Sequence, residues 1–281
     1  RARPMFELAP HNRLGDPLDR LLGHIDFRLA MLDGPTEEAF GLALDTAIRR
    51  LGAEGTSFET SPMDIAKAIS KSLSERIVIS KVDDTLWDLE RPLEADCRLE
   101  LFDFESPEGK RVFWHSSAHV LGEACEKHYG CHLCIGPPTE EGFFYDFAFE
   151  RPFTPDDLSL IEARMHELAA ADLPVTRREL PRDEAIAHFE QQGEHYKAEL
   201  IHAIPEGEPL SLYRQGDFED LCRGPHVPST GRLKAFKLTK VAGAYWRGDA
   251  TKAMLQRIYG TCWPDTKALA AYLTRLEEAG K

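Results

Sequence analysis

Short apolar runs lie close together between Ser61 and Phe104, whereas longer amphipathic stretches dominate beyond His115. Leu44, Ala47, Ile48 and Leu51 recur at helical spacing, which favours a helix over 40–51. Ser61-Pro62-Met63-Asp64 is a helix start, with Ser61 as N-cap, Pro62 at the first helical position and Asp64 in the first turn. Ile65, Ala66, Ile69 and Leu73 continue one apolar face. Ile77–Ile79 and Leu99–Phe104 read as strands, with a tight turn at Val82–Leu86. Ser106–Lys110 reads as a linker, followed by a helix over His115–Tyr129 that stops at Gly130. Strands are expected at Cys131–Ile135 and Gly142–Phe149, around the Gly136-Pro137-Pro138 turn. Thr154 caps a helix with the stripe Leu158, Ile161, Met165 and Leu168, and a further helix spans Arg182–Gln192. Leu210–Tyr213, Phe236–Lys240 and Ala244–Arg247 are strand candidates, and Thr266–Ala279 is a helix with Leu269, Leu273 and Leu276 on one stripe. This is an α+β pattern of one small and one larger module, preceded by an extension over 1–37 with no sustained period.

Composition narrows the class. The 281 residues suffice for two domains, and no apolar run approaches the ~18 residues that span a membrane. The six cysteines are few, the first thirty residues carry no apolar signal core, and a cytoplasmic protein with reduced thiols is expected. Arg1 in place of Met is read as a sign of an excised piece. A net charge of −14 argues against a nucleic-acid partner when taken as a whole. Between Arg223 and Arg257, however, eight basic residues (Arg223, Arg232, Lys234, Lys237, Lys240, Arg247, Lys252, Arg257) face one acid, Asp249. That run is read as a phosphate-binding strip.

The candidate chemistry lies in His115-Ser-Ser-Ala-His119 and Asp220-Leu-Cys222-Arg-Gly-Pro-His226. Histidines at i and i+4 on a helix address one point, whereas His128, nine positions beyond His119, lies on the far side. Gly224-Pro225 places the second motif in a loop. Three imidazoles and a thiol could hold a tetrahedral zinc ion or line a metal-free pocket that positions water. Cys131-His-Leu-Cys134 is a lone CxxC and reads as two small buried residues. Taken alone, Lys197 reads as a solvated surface lysine and Tyr145 as a strand aromatic.

Taken in order, His115-Ser-Ser-Ala-His119-Val-Leu-Gly, Gly136-Pro-Pro with Gly142-Phe-Phe-Tyr-Asp146, Asp220-Leu-Cys-Arg-Gly-Pro-His226, and Ala244-Tyr-Trp-Arg-Gly-Asp249 with Leu255-Gln-Arg-Ile-Tyr-Gly260 resemble the N-terminal editing region of threonyl-tRNA synthetase. The resemblance covers about 57–281. It implies a TGS-like module of β-grasp fold over 38–106, a threonyl/alanyl-type editing domain over 107–265 and a linker helix over 266–281. Residues 1–37 have no counterpart, and 47–51 would be a hairpin strand instead of a helix. The arginine motifs and aminoacylation zinc site of the ligase core do not occur in this sequence, so covalent connection to a core is expected in the full-length protein.

The activity so implied is hydrolysis of mischarged seryl-tRNA(Thr) to serine and free tRNA. A second site is needed because one missing methyl gives only about 1–3 kcal/mol of discrimination. His115 and Lys197 would hold or activate the water and protonate the ribose leaving group. A lysine base would need a depressed pKa, whereas a charged lysine would stabilise the oxyanion. His119, Cys222 and His226 would shape the pocket, Asp220 would take the substrate amine, and Tyr145, Gly136 and Pro137 would meet the aminoacyl-adenosine end. Arg223, Arg232, Lys234, Lys237, Lys240 and Arg247 would contact tRNA. The resemblance implies no catalytic metal. The alternatives are an alanyl-type deacylase with zinc on His115, His119, Cys222 and His226, and a non-catalytic tRNA-binding module.

Overall fold

The computed structural model describes residues 26–29, 60–94 and 97–279. The chain forms two compact units, Arg1–Lys110 with Pro225–Pro228, and Arg111–Gly224 with Ser229–Lys281. Both the helix favoured over 40–51 and the strand implied at 47–51 lie outside the described residues.

The first unit contains a four-stranded sheet in the order β1-β4-β2-β3: β1 (Asp26–Leu29), β2 (Ile77–Val82), β3 (Thr85–Trp87) and β4 (Arg98–Asp103). β1 runs parallel to β4 in the register Asp26↔Arg98, so the segment read as an aperiodic extension supplies a strand. Helix α1 (Pro62–Ile69) begins with the expected cap: Asp64 N–H donates to Ser61 Oγ at 3.2 Å, and Ser61 N–H donates to Asp64 Oδ2 at 3.0 Å. The apolar face expected to run unbroken to Leu73 is divided. Ser70 is extended, and its Oγ accepts Leu73 N–H at 3.1 Å, which starts α2 (Lys71–Arg76). Met63, Ile65, Ala66, Leu73, Ile77, Leu89, Leu99 and Leu101 form one buried cluster.

Helix α3 (Pro107–Tyr129) starts eight residues before the expected position, so 107–110 are helical and not a linker. The reason is local: Ser106 Oγ accepts Gly109 N–H at 2.9 Å, the same Ser-Pro start as at Ser61-Pro62. The helix stops at Gly130, whose φ is 65°.

The second unit continues with β5 (His132–Leu133), β6 (Phe143–Ala148), α4 (Pro155–Ala170), β7 (Val175–Leu180), α5 (Arg182–Gln191), α6 (His195–Ala203), β8 (Leu210–Gln215), β9 (Phe218–Leu221), β10 (Ala235–Tyr245), β11 (Met254–Trp263) and α7 (Thr266–Ala279). They form two antiparallel sheets, β10-β11-β6-β5 and β7-β8-β9. The two strands expected at 236–240 and 244–247 are one eleven-residue strand with a bulge between Leu238 and Lys240. Arg247 lies beyond it, in a turn, at φ 55°. Elements β7, β9, β11 and α6 have no counterpart in the sequence expectations. α5 and α6 pack on β8 through Ala185, Phe189, Ile201, Leu210 and Leu212. This packing places α6 beside the site.

Candidate active site

Three elements of the second unit bring polar side chains into a dry place. Tyr145 on β6 is fully buried; it projects its hydroxyl toward Asp220 on β9 and Lys197 on α6. Lys197 Nζ lies 2.6 Å from Asp220 Oδ1 and donates to Tyr145 Oη at 3.1 Å, while Tyr145 donates to Asp220 Oδ2 at 2.7 Å. Lys197 is 3% exposed and Asp220 1%. The lysine read as a surface residue is therefore a buried cation, and pairing is the condition under which such a charge is tolerated.

His115 and His119 stand one turn apart on α3 with ring centroids 5.4 Å apart. His119 Nε2 is 3.7 Å from Asp220 Oδ2, and His115 Nε2 is 3.3 Å from Cys222 Sγ. Gly224 N–H donates to the same sulfur at 3.3 Å. Gly224 has φ +67°, and an added Cβ would stand 2.0 Å from the Tyr213 hydroxyl, so the loop after β9 needs glycine there. Gly136 is similarly constrained: a Cβ would fall 2.3 Å from the Tyr145 ring. The wall formed by Gly136 thus presses on Tyr145.

The protonation states follow from burial. Burial, reinforced by the charge of His119, lowers His115 to about 3. Burial lowers His119 to about 4, against the pull of Asp220 and with the push of Lys197. Both rings are neutral at pH 7. Burial pushes the Asp220 carboxyl up, but Lys197, His119 and the hydrogen bonds from Lys197 and Tyr145 outweigh it and hold it below the ordinary value. Burial and the Asp220 charge keep the Tyr145 phenol well above its ordinary value. The result is an ionised Asp220 carboxylate and two neutral imidazoles.

His115, His119 and Cys222 offer donor atoms within 4.8 Å of one another. His226, the fourth residue of the sequence quartet, is buried and belongs to the first unit, where its N–H donates to Asp88 Oδ1 at 2.9 Å. Cys131 and Cys134 are buried as expected, and burial raises each thiol to about 12.

The basic run does not form a strip of unpaired charge. Arg223 pairs with Glu208 at 3.0 Å, Lys237 with Glu162 at 3.4 Å, and Arg247 and Lys252 with Glu199 at 3.6 and 3.7 Å. Arg257 grips Asp146 through two bonds of 2.7 and 2.8 Å. Lys240 lies over the Tyr259 ring, 4.5 Å from its centroid. Arg232 ends the short 3-10 turn at Thr230–Arg232, and Lys234 follows Leu233 just beyond it.

Two acids absent from the sequence expectations support α6. Glu194, at its N-cap, is 4% exposed and accepts Leu133 N–H at 2.7 Å. Glu199, farther along the helix, accepts Trp246 Nε1–H at 3.1 Å. Their only sequence signal is their spacing around Lys197.

Two neutral imidazoles and the Cys222 sulfur beside a buried Lys–Asp–Tyr network, on an α+β scaffold, define a site suited to polar, water-using chemistry. Residues 210–259 match the Threonyl and Alanyl tRNA synthetase second additional domain, and residues 52–103 match the TGS domain. The chain is 59% identical over 219 residues to the threonine–tRNA ligase of Legionella pneumophila strain Corby, covering 78% of this chain and 34% of the relative. It is 57% identical over 218 residues to that of Methylococcus capsulatus and 56% identical over 218 residues to that of Coxiella burnetii, each match covering 77% of this chain and 34% of the relative. Over 77–78% of its length the chain is similar to part of these threonine–tRNA ligases, with the TGS match preceding the match to the second additional domain. It spans about a third of the length of these relatives. Among the described residues, no helix is long and apolar enough to cross a membrane.

Proposed function

We propose that the second unit hydrolyses the ester of seryl-tRNA(Thr), releasing serine and free tRNA, as the proofreading part of a threonyl-tRNA synthetase. The observation that carries this reading is the buried Lys197–Asp220–Tyr145 network beside neutral His115 and His119. Ester hydrolysis adds water oxygen to the carbonyl carbon, places negative charge on the carbonyl oxygen, and breaks the bond to the ribose oxygen, which takes up a proton given up by the attacking water. His115, held near 3, is a weak base at pH 7 and serves to orient the water. Lys197, fixed by Asp220 and Tyr145, supplies positive charge to the developing oxyanion. The substrate amine shares the carboxylate of Asp220 with Lys197. Gly136 and Pro137 border the adenosine, and His119 and Cys222 limit the space beside the serine side chain. The tRNA partner and the link to a ligase core belong to the same proposal.

Deacylation of seryl-tRNA against threonyl-tRNA, with wild type beside His115→Ala and Lys197→Ala, tests it. Wild type is expected to prefer the seryl ester, and each variant to lose at least about 10²-fold in rate. Equal hydrolysis of both esters would sink proofreading, unchanged variants would remove His115 and Lys197 from the reaction, and no hydrolysis of either ester by wild type would favour a non-catalytic tRNA-binding module.

A zinc-dependent reading has one observation in its favour, the clustered donors of His115, His119 and Cys222. Two imidazoles and a thiolate suit zinc. The metal-free reading is kept because the resemblance to the threonyl type of editing region implies no catalytic metal, and the mutual contact of His115 and the Cys222 sulfur is compatible with either state. Stoichiometric zinc on elemental analysis, with activity lost on chelation and regained on zinc addition, would replace it.

A further inference from the structure

Lys197 stands on the first turn of α6, a nine-residue helix too short to hold its shape by hydrogen bonding alone. Its position therefore depends on what fastens that turn to the rest of the unit. The chain reaches α6 from α5 through Gly193 at φ +75°, and Glu194 is the next residue. The main-chain carbonyl of Glu194 accepts Lys197 N–H at 3.1 Å and Ala198 N–H at 3.2 Å. Glu194 itself is the N-cap, yet its side chain makes no capping bond. That side chain is spent elsewhere.

It goes to the edge of the sheet. Among the described residues, β5 is the last strand in the order β10-β11-β6-β5 and pairs with β6 alone. Cys134 N–H points inward, to Asp146 O at 3.0 Å. By strand alternation, Leu133 N–H points off the open edge. Glu194 Oε2 takes that N–H at 2.7 Å in a buried contact, in the place a fifth strand would occupy. His132 Nδ1 lies 3.5 Å from the other carboxylate oxygen. Burial pushes the Glu194 carboxyl up, while Leu133 N–H, His132 and the charge of Lys197 pull it back. One residue thus binds the sheet edge with its side chain and starts the lysine-bearing turn with its main chain.

We propose that Glu194 is a positioning residue for the ester hydrolysis read above: it pins the first turn of α6 to the edge of β5, so that Lys197 meets Asp220 and the reacting carbonyl. The inference rests on that reading and assigns Glu194 no contact with substrate. Glutamine keeps an acceptor for Leu133 N–H, whereas alanine leaves that buried donor unpaired and the turn unpinned.

A double-mutant cycle on seryl-tRNA deacylation, measured under single-turnover conditions, tests it. Glu194→Ala is expected to lower the chemical rate by about 10–100-fold, since displacements near 1 Å cost about that much, while the seryl-tRNA concentration for half-maximal rate stays within about threefold. Glu194→Gln should recover most of the loss. Glu194→Ala combined with Lys197→Ala should be no slower than Lys197→Ala alone, because a residue acting through Lys197 has nothing left to position. Multiplicative losses in the double variant, or a Glu194→Ala rate equal to wild type, overturn the proposal. If Lys197→Ala has no rate above background, equal losses in the Gln and Ala variants overturn it and recovery by Gln supports it. Should Glu194→Ala fail to fold by circular dichroism, Glu194→Asp, which draws the carboxylate back by one methylene, takes its place. An inactive wild type overturns the hydrolase reading itself, whereas an active wild type with an additive cycle overturns this inference alone.

Discussion

Asp220 accepts a lysine ammonium and a tyrosine hydroxyl while almost wholly removed from water. Desolvation alone would favour its neutral form, and the charge of Lys197 with the two hydrogen bonds reverses that preference. Tyr145 is the hinge of this arrangement, because its one hydroxyl donates to Asp220 and accepts from Lys197. Tyr145→Phe keeps the ring, and with it the packing on Gly136 and Gly122, and removes only the hydroxyl. We expect it to cost about 1–3 kcal/mol in urea unfolding, the range for a buried group left unsatisfied, and to slow deacylation about tenfold. Unchanged unfolding midpoints would show that the hydroxyl carries no such weight. The paired histidines were legible because i, i+4 spacing is a local signal. Lys197 was legible only through the family resemblance: α6 has no strong apolar stripe, and the partner that makes burial tolerable lies 23 positions away on another element.

Among the elements, helix starts were the most readable feature, because a cap is written within four residues. Ser61 and Thr154 each begin a capping box with Pro next and Asp at the third helical position. Ser106-Pro107 lacks that acid and carries Gly109 in its place, so its sequence resembles a linker although its hydroxyl caps α3. Sheet elements were harder. β7 alternates Arg, Glu and Thr with few apolar residues, and the bulge at Leu238/Lys240 breaks the period of β10. The cap of α4 yields a pH prediction. Asp157 takes two bonds from Arg151, two from Thr154 and one from Tyr129, which hold its carboxyl far below the ordinary range. A carboxyl depressed on folding stabilises the native state above its unfolded value, near 4, and that contribution fades as pH falls below it. Asp157→Asn should therefore cost about 1–3 kcal/mol at pH 7, with the gap to wild type narrowing between pH 4 and pH 2 in urea titrations. A gap independent of pH would remove Asp157 from the acid response.

For the whole molecule, net charge and linear charge runs each describe only part of what a polyanion would meet. The chain carries −14 in all, yet the densest basic run lies in the unit that holds the site. Folding then places carboxylates from α4, α6, β6 and the segment before β8 against five of its eight cations. A cation already paired releases few counterions when a phosphate arrives, because its field is largely cancelled. Lys240 differs, since its ammonium lies over Tyr259 and keeps its charge unneutralised by any acid among the described residues. The slope of log Kd for tRNA(Thr) against log salt concentration should therefore fall by about 1 in Lys240→Ala and stay unchanged in Lys237→Ala, whose ammonium faces Glu162. Both substitutions remove one positive charge from the same strand, so a model based on net charge alone predicts equal slopes. Equal slopes would mean that tRNA draws Lys237 away from Glu162 as readily as it meets Lys240, and the run would then act as the continuous strip its sequence suggested.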